Sequence, residues 1–280
     1  MSTSPSATTP RHLSPSSASL FEQCPKRWYF RYVERLPEPP SEAALVGTFA
    51  HRVLELLLAR PPAERTQEAA RTIAREVWPE TAHNSEFRAL GLSADDERAF
   101  RWKGWIAVAG LWHLEDPSEV EVIDTERRIR TDIGGVPFLG VIDRVEASRD
   151  GTVITDYKSG SPPLERYQDD KLAQVLLYSA AITAADGIVP SKARLAYLGS
   201  TVIETEVTED RVAKVVEALR STWNQLLVAS TNHSFEARPG PLCGWCPHVA
   251  HCEEGAAEVK ARWQSGRIRS DAPALVILNL

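Results

Sequence analysis

The chain has no run of eighteen apolar residues, and its Ser/Thr/Pro-rich start carries no hydrophobic signal segment. No membrane span is expected, and a cytoplasmic location follows by default. Cysteine is scarce, at four residues in 280, and in a reducing compartment those four are not expected to form disulfides. There is no internal repeat and no convincing linker in the middle, which leaves one composite domain as the simplest organisation. No G-x4-G-K-[ST] loop occurs, so the chain holds no nucleotide-driven motor. A uniformly basic surface is also missing, because the formal net charge is −6. Only local basic tracks remain, at Lys26-Arg27, Arg31, Arg35 and Arg127-Arg128-Arg130.

What is present is an ordinary globular composition, 43% hydrophobic and 25% charged, enough for a sizeable core. Residues 1–12 read as a disordered tail. Ser14 or Ser16 can cap a helix that carries Leu20, Phe21, Cys24, Trp28, Tyr32 and Val33, with Pro25 breaking or kinking it after Cys24. A second helix, residues 42–59, presents Leu45, Phe49, Val53, Leu56 and Leu57 on one face and contains His51. Further helices are expected over 64–77 and over 95–112, where Phe100, Trp102, Trp105 and Leu111 supply a bulky apolar stripe framing a groove. From residue 120 the pattern turns to strands, at 120–129, 136–145, 152–157, 193–198 and 202–207, with helices over 164–185 and 209–228.

The most informative stretch is Gly140–Gly160, GVIDRVEASRDGTVITDYKSG. Two β-branched runs flank the polar turn Ser148-Arg149-Asp150-Gly151, the pattern of a β-hairpin. Each arm carries an acid inside an apolar strand, Asp143 in one and Asp156 in the other. With period two, Asp156 and Lys158 share a face and Tyr157 takes the other. If Asp143 joins them, two carboxylates and a lysine converge. That set suits metal-assisted phosphodiester hydrolysis: hard oxygens hold Mg²⁺ or Mn²⁺, and the ammonium offsets charge in the transition state. The competing reading is a strand-end Asp–Lys ion pair, and the hairpin alone leaves both open.

The ordered set His51, G-x-x-D at Gly140–Asp143, D-x-K at Asp156–Lys158 and Q-x-x-x-Y at Gln174–Tyr178 resembles the RecB-like exonucleases of the PD-(D/E)XK superfamily. The resemblance implies an α/β fold with a restriction-endonuclease-like core, a mixed sheet flanked by helices. A helical part would span 13–116, the catalytic core 117–230 and a cysteine segment 231–256, together one nuclease domain, followed by a tail at 257–280. It assigns Asp143, Asp156 and Lys158 to catalysis. His51, Asp143, Asp156 and the backbone carbonyl of Tyr157 would ligate the metal. Gln174 and Tyr178 would contact DNA or support the site, with Glu126 a further supporting acid. The activity implied is a Mg²⁺- or Mn²⁺-dependent DNA exonuclease acting on single-stranded ends in repair or recombination, with a helicase or recombination partner in trans. The alternative is a non-catalytic DNA-binding or scaffold subunit that keeps the fold. Retention of His51, Asp143, Asp156 and Lys158 speaks against that alternative.

Cys24 lies more than two hundred residues before the C-x2-C-x5-C group Cys243, Cys246 and Cys252. A four-thiolate zinc site needs the same ligands, but zinc ribbons usually pair two C-x2-C knuckles and Cys24 has no such companion. Four thiolates also suit a [4Fe–4S] cluster, and here the chain resembles AddB-type nuclease domains and RecB-like CRISPR-associated exonucleases. A radical enzyme is disfavoured, since no C-x3-C-x2-C grouping occurs. The clamp is expected to be structural and to hold His51 opposite the hairpin.

Overall fold

The computed structural model describes residues 10–280, so most of the expected N-terminal tail lies outside the described residues. The chain divides into two compact units, residues 40–217 and residues up to 39 together with 218–280. Among the described residues no helix is long and apolar enough to cross a membrane.

The terminal unit begins with α1 (Pro15–Gln23), capped by the Ser14 side chain, and α2 (Pro25–Tyr29), with the break at Cys24 that Pro25 dictates. The larger unit opens with α3 (Glu42–Leu58), capped by Ser41. Its Leu45, Phe49, Val53 and Leu57 are buried among α4 (Gln67–His83), α5 (Ser85–Ala89), α6 (Ala94–Ala109) and α7 (Leu111–Leu114). Close packing of α3 on α6 depends on Gly104, where a β-carbon would stand 2.6 Å from the Phe49 ring. Helix α4 runs past Pro79, six residues beyond the expected end. Val77 is buried there and Trp78 packs edge-on to Phe49 and Phe87, so packing outweighs the lost backbone hydrogen bond.

The sheet holds five strands in the order β1 (Glu121–Ile133), β2 (Val136–Ser148), β3 (Gly151–Lys158), β4 (Lys192–Tyr197) and β5 (Thr201–Glu206). All neighbours are antiparallel except β3 and β4. Parallel β3 and β4 need a crossover, which α8 (Gln168–Asp186) supplies. Gly134 and Gly135, both at positive φ, turn β1 into β2. Ser148 pairs with Gly151, so the β2–β3 hairpin closes on a two-residue Arg149-Asp150 loop. The mixed sheet with flanking helices matches the expected core.

The unit boundary falls within α9 (Glu209–Asn232). Beyond it, α10 (Glu253–Gln264) and α11 (Pro273–Ile277) occupy the stretch expected as a tail. That stretch is ordered because it has something to bury: Val259 and Ala274 are fully buried beside Val249.

The stripe expected on α6 is also corrected. Phe100 is fully buried while Trp102, two residues on, is 63% exposed. Two residues span about 200° of a helix, so the pair cannot share a face.

Candidate active site

The site forms where the β2–β3 ladder stops. Pairing runs from Ser148↔Gly151 to Arg144↔Thr155 and ends one step before Asp143 and Asp156. There the Asp143 carboxylate takes the place of a strand partner, with Oδ2 accepting the Tyr157 N–H at 2.6 Å. Its other oxygen lies 3.4 Å from Nδ1 of His51. His51 reaches the sheet from α3, and its Nε2 donates to the Tyr157 carbonyl at 3.0 Å. That bond leaves Nδ1 facing the carboxylates. The Tyr157 carbonyl, expected as a metal ligand, is thus engaged by His51.

Glu126 completes this half of the site from β1, with Oε1 4.0 Å from His51 Nδ1. Its φ is +48°, inside a strand whose pairing with β2 keeps one register on either side of it, Arg127↔Ile142 and Thr125↔Arg144. A non-glycine residue in that region is uncommon and strained. Here the distortion places Glu126 beside His51 and Asp143. Ligand atoms of His51, Glu126 and Asp143 all lie within 4.8 Å of one another, the one such group of His, Cys, Asp and Glu among the described residues. Burial, then the Asp143 charge, pushes the Glu126 carboxyl up. For His51, burial works against the imidazolium, but Asp143, Asp156 and Glu126 outweigh it and the pKa rises.

Asp156, Lys158, Gln174 and Tyr178 form the other half. Asp156 is buried and Lys158 Nζ lies 2.6 Å from its Oδ2. Gln174 on α8 accepts from Lys158 Nζ at 3.0 Å and donates to Asp156 Oδ1 at 2.7 Å, with the Tyr178 hydroxyl 3.2 Å away. Burial and the neighbouring Asp143 push Asp156 up to about 6. Tyr178 packs on β2 only because Gly140 has no side chain, since a β-carbon there would sit 2.7 Å from the ring. So Asp156 stands outside the three-residue group, held by Lys158 and Gln174, while Glu126 stands inside it.

The donor set fits a divalent cation. Two carboxylates and a nearby carbonyl oxygen are hard ligands, and an imidazole is acceptable to Mn²⁺. Asp156 Oδ2 is buried, with the Lys158 ammonium 2.6 Å away.

One feature of this region had no reading in the sequence. Arg144, fully buried, donates to Glu115 at 2.5 Å and to the Tyr157 hydroxyl at 2.6 Å, and pairs with Glu146 at 2.5 Å. Arg194 pairs with Glu146 as well. This network anchors Tyr157, whose backbone N–H and carbonyl serve Asp143 and His51. The signal available was the charged alternation Arg144, Glu146 within an otherwise apolar strand.

In the terminal unit, Cys24, Cys243, Cys246 and Cys252 line one pocket with Phe30 and Val249. No three of the thiols come within 4.8 Å of one another among the described residues. A single tetrahedral zinc, with Zn–S about 2.3 Å, would hold its sulfurs about 3.8 Å apart. Gly255 N–H donates to Cys252 Sγ at 3.3 Å, and a β-carbon on Gly255 would stand 3.2 Å from that sulfur. Burial pushes the Cys246 and Cys252 thiols up.

The sheet, its flanking helices and the carboxylate–lysine constellation define a nuclease class of site. The PD-(D/E)XK nuclease superfamily model matches residues 12–253, and the chain belongs to that superfamily. No curated protein matches the sequence. Among solved structures, a candidate exonuclease from Eubacterium rectale is similar at 14% identity over 85% of this chain and 87% of that one, with a TM-score of 0.46. The crystal structure of SSO0001 is similar at 16% identity over 75% of this chain and 94% of that one, with a TM-score of 0.30.

Proposed function

We propose that the protein is a Mg²⁺- or Mn²⁺-dependent DNA exonuclease that hydrolyses phosphodiester bonds at single-stranded ends. The observation that carries this reading is the His51–Glu126–Asp143 group beside the buried Asp156–Lys158 pair. Exonuclease action, strand preference, a role in repair or recombination and a helicase partner in trans follow from the likeness to RecB-like exonucleases.

Glu126 and Asp143 would hold the cation, with His51 Nδ1 between them and Asp156 available once Lys158 turns to substrate. When bound, such an ion polarises a phosphoryl oxygen and lowers the pKa of water. Lys158 supplies a mobile cation for the charge that develops on the scissile phosphate, and Gln174 fixes its approach. Water attacks the phosphorus in line, the P–O3′ bond breaks, and the water's proton balances the leaving oxygen, so the DNA is left with 5′-phosphate and 3′-hydroxyl ends.

The four cysteines are proposed to hold a [4Fe–4S] cluster. Their common pocket supports a shared group, and the unpaired position of Cys24 relative to the C-x2-C-x5-C segment favours the cluster. Zinc is the alternative, and the visible colour of anaerobically purified protein separates the two.

End-labelled single- and double-stranded DNA, incubated with and without Mn²⁺, tests the activity. Lys158→Ala should lower cleavage at least about a hundredfold while DNA binding persists. Undiminished cleavage by that variant would refute the site.

A further inference from the structure

On the far side of α3 from His51, helices α3, α4 and α6 line an open pocket of about 280 Å³ that the catalytic reading does not use. Phe49 forms its floor, two residues before His51 and so on the opposite helix face. Its walls carry Arg71, Arg75 and Arg101 together with Trp78, Trp102 and Trp105. The Arg71 guanidinium lies 4.9 Å from the Trp105 ring centroid and that of Arg101 4.6 Å from Trp78. Among the described residues, none of these three arginines is in an ion pair. Neighbouring cations on the same helices are satisfied, Arg98 by Asp95, Lys103 by Glu42 and Arg52 by Glu55. Trp102 is left 63% exposed at the rim.

Three guanidiniums without an ion pair, two of them over tryptophan rings, beside the exposed Trp102 match one chemistry, an anionic group joined to a planar ring. Stacking on tryptophan accepts any base, and arginine accepts phosphate bidentately. We propose that this pocket is a second DNA site, which takes a base and phosphate of a single strand whose end lies in the active site across α3. The inference rests on the nuclease reading for its ligand. It goes beyond that reading by assigning strand grip to α4 and α6 instead of to the catalytic strands.

The test uses the full chain, with fluorescein-labelled dT12 and anisotropy in EDTA, where no cleavage occurs. Trp102→Ala should weaken binding roughly 5- to 100-fold, the range for one lost base stack, and Trp102→Phe should restore most of it. Arg75→Ala should reduce the salt dependence, log K against log salt, by about 0.7, one phosphate contact on a single strand. Hydrolysis of a dinucleotide, too short to reach the pocket, should be unchanged in both variants. Wild-type dT12 affinity in folded Trp102→Ala and Arg75→Ala proteins would overturn the proposal, as would tighter binding of polyglutamate than of dT12 at the same pocket. A wild-type protein that binds dT12 through these residues yet cleaves nothing with Mn²⁺ would refute the nuclease reading and leave the pocket standing.

Discussion

Glu126 shows how a single residue's backbone decides a site. Between the Arg127↔Ile142 and Thr125↔Arg144 pairs the register is unchanged, which sets Glu126 across from Asp143, and its backbone there takes a φ of +48°. A carboxylate beside Asp143, with its own pKa raised by burial and that charge, is poised to gain from a cation. Glu126→Gln keeps the shape and removes the charge, so Mn²⁺ affinity should fall about 10- to 100-fold by calorimetric titration. Asp124→Asn, on an exposed part of the same strand, should leave it unchanged. The residues of the hairpin were legible because the motif Gly140–Lys158 is local and period-two alternation fixes where Asp156 and Lys158 point. Glu126 ranked lower in the sequence because a positive φ in a non-glycine residue has no local signature. The engagement of Asp156 by Gln174 was hidden too, since it joins a strand to a helix eighteen residues away.

At the scale of elements, α8 and β2 are fitted to each other through one missing side chain. The glycine of G-x-x-D and the tyrosine of Q-x-x-x-Y are one contact: a methyl at Gly140 would meet the Tyr178 ring at 2.7 Å. Gly140→Ala should therefore lower stability by about 1–3 kcal/mol, the usual cost of overpacking, measured by urea unfolding. Adding Tyr178→Leu should recover part of it, because the double variant removes the collision. Without that recovery the glycine would be serving the strand backbone instead. Strand and helix identities were readable from periodicity, and most boundaries fell within a few residues. The run of α4 through Pro79 and the splitting of the α6 stripe were not, because both depend on which faces α3 and α5 leave available. Trp102 looked like core by type and lies outside by helical phase.

At the scale of the whole molecule, the cysteines and the carboxylates belong to different units. Cys24, Cys243, Cys246 and Cys252 fall in residues up to 39 and 218–280, whereas His51 and every group it touches fall in 40–217. The sequence suggested that the clamp holds His51 in place. The observed partners of His51 are instead Tyr157, Asp143 and Glu126, all supplied by the sheet that α3 packs on. A cross-link between Cys24 and the C-x2-C-x5-C segment closes a loop of more than two hundred residues, worth on the order of a few kcal/mol in the chain-entropy picture. Cys24→Ser should thus bleach the anaerobically purified protein and lower its thermal midpoint by several degrees, with Mn²⁺ affinity held within about twofold. The scale of the midpoint shift follows from a few kcal/mol spread over a chain of this size. Calorimetry with and without Mn²⁺ reads both quantities on one sample. A tenfold loss of Mn²⁺ affinity on removing Cys24 would show that the carboxylate site depends on the cysteines after all. An unchanged midpoint with unchanged colour would show that Cys24 is no ligand.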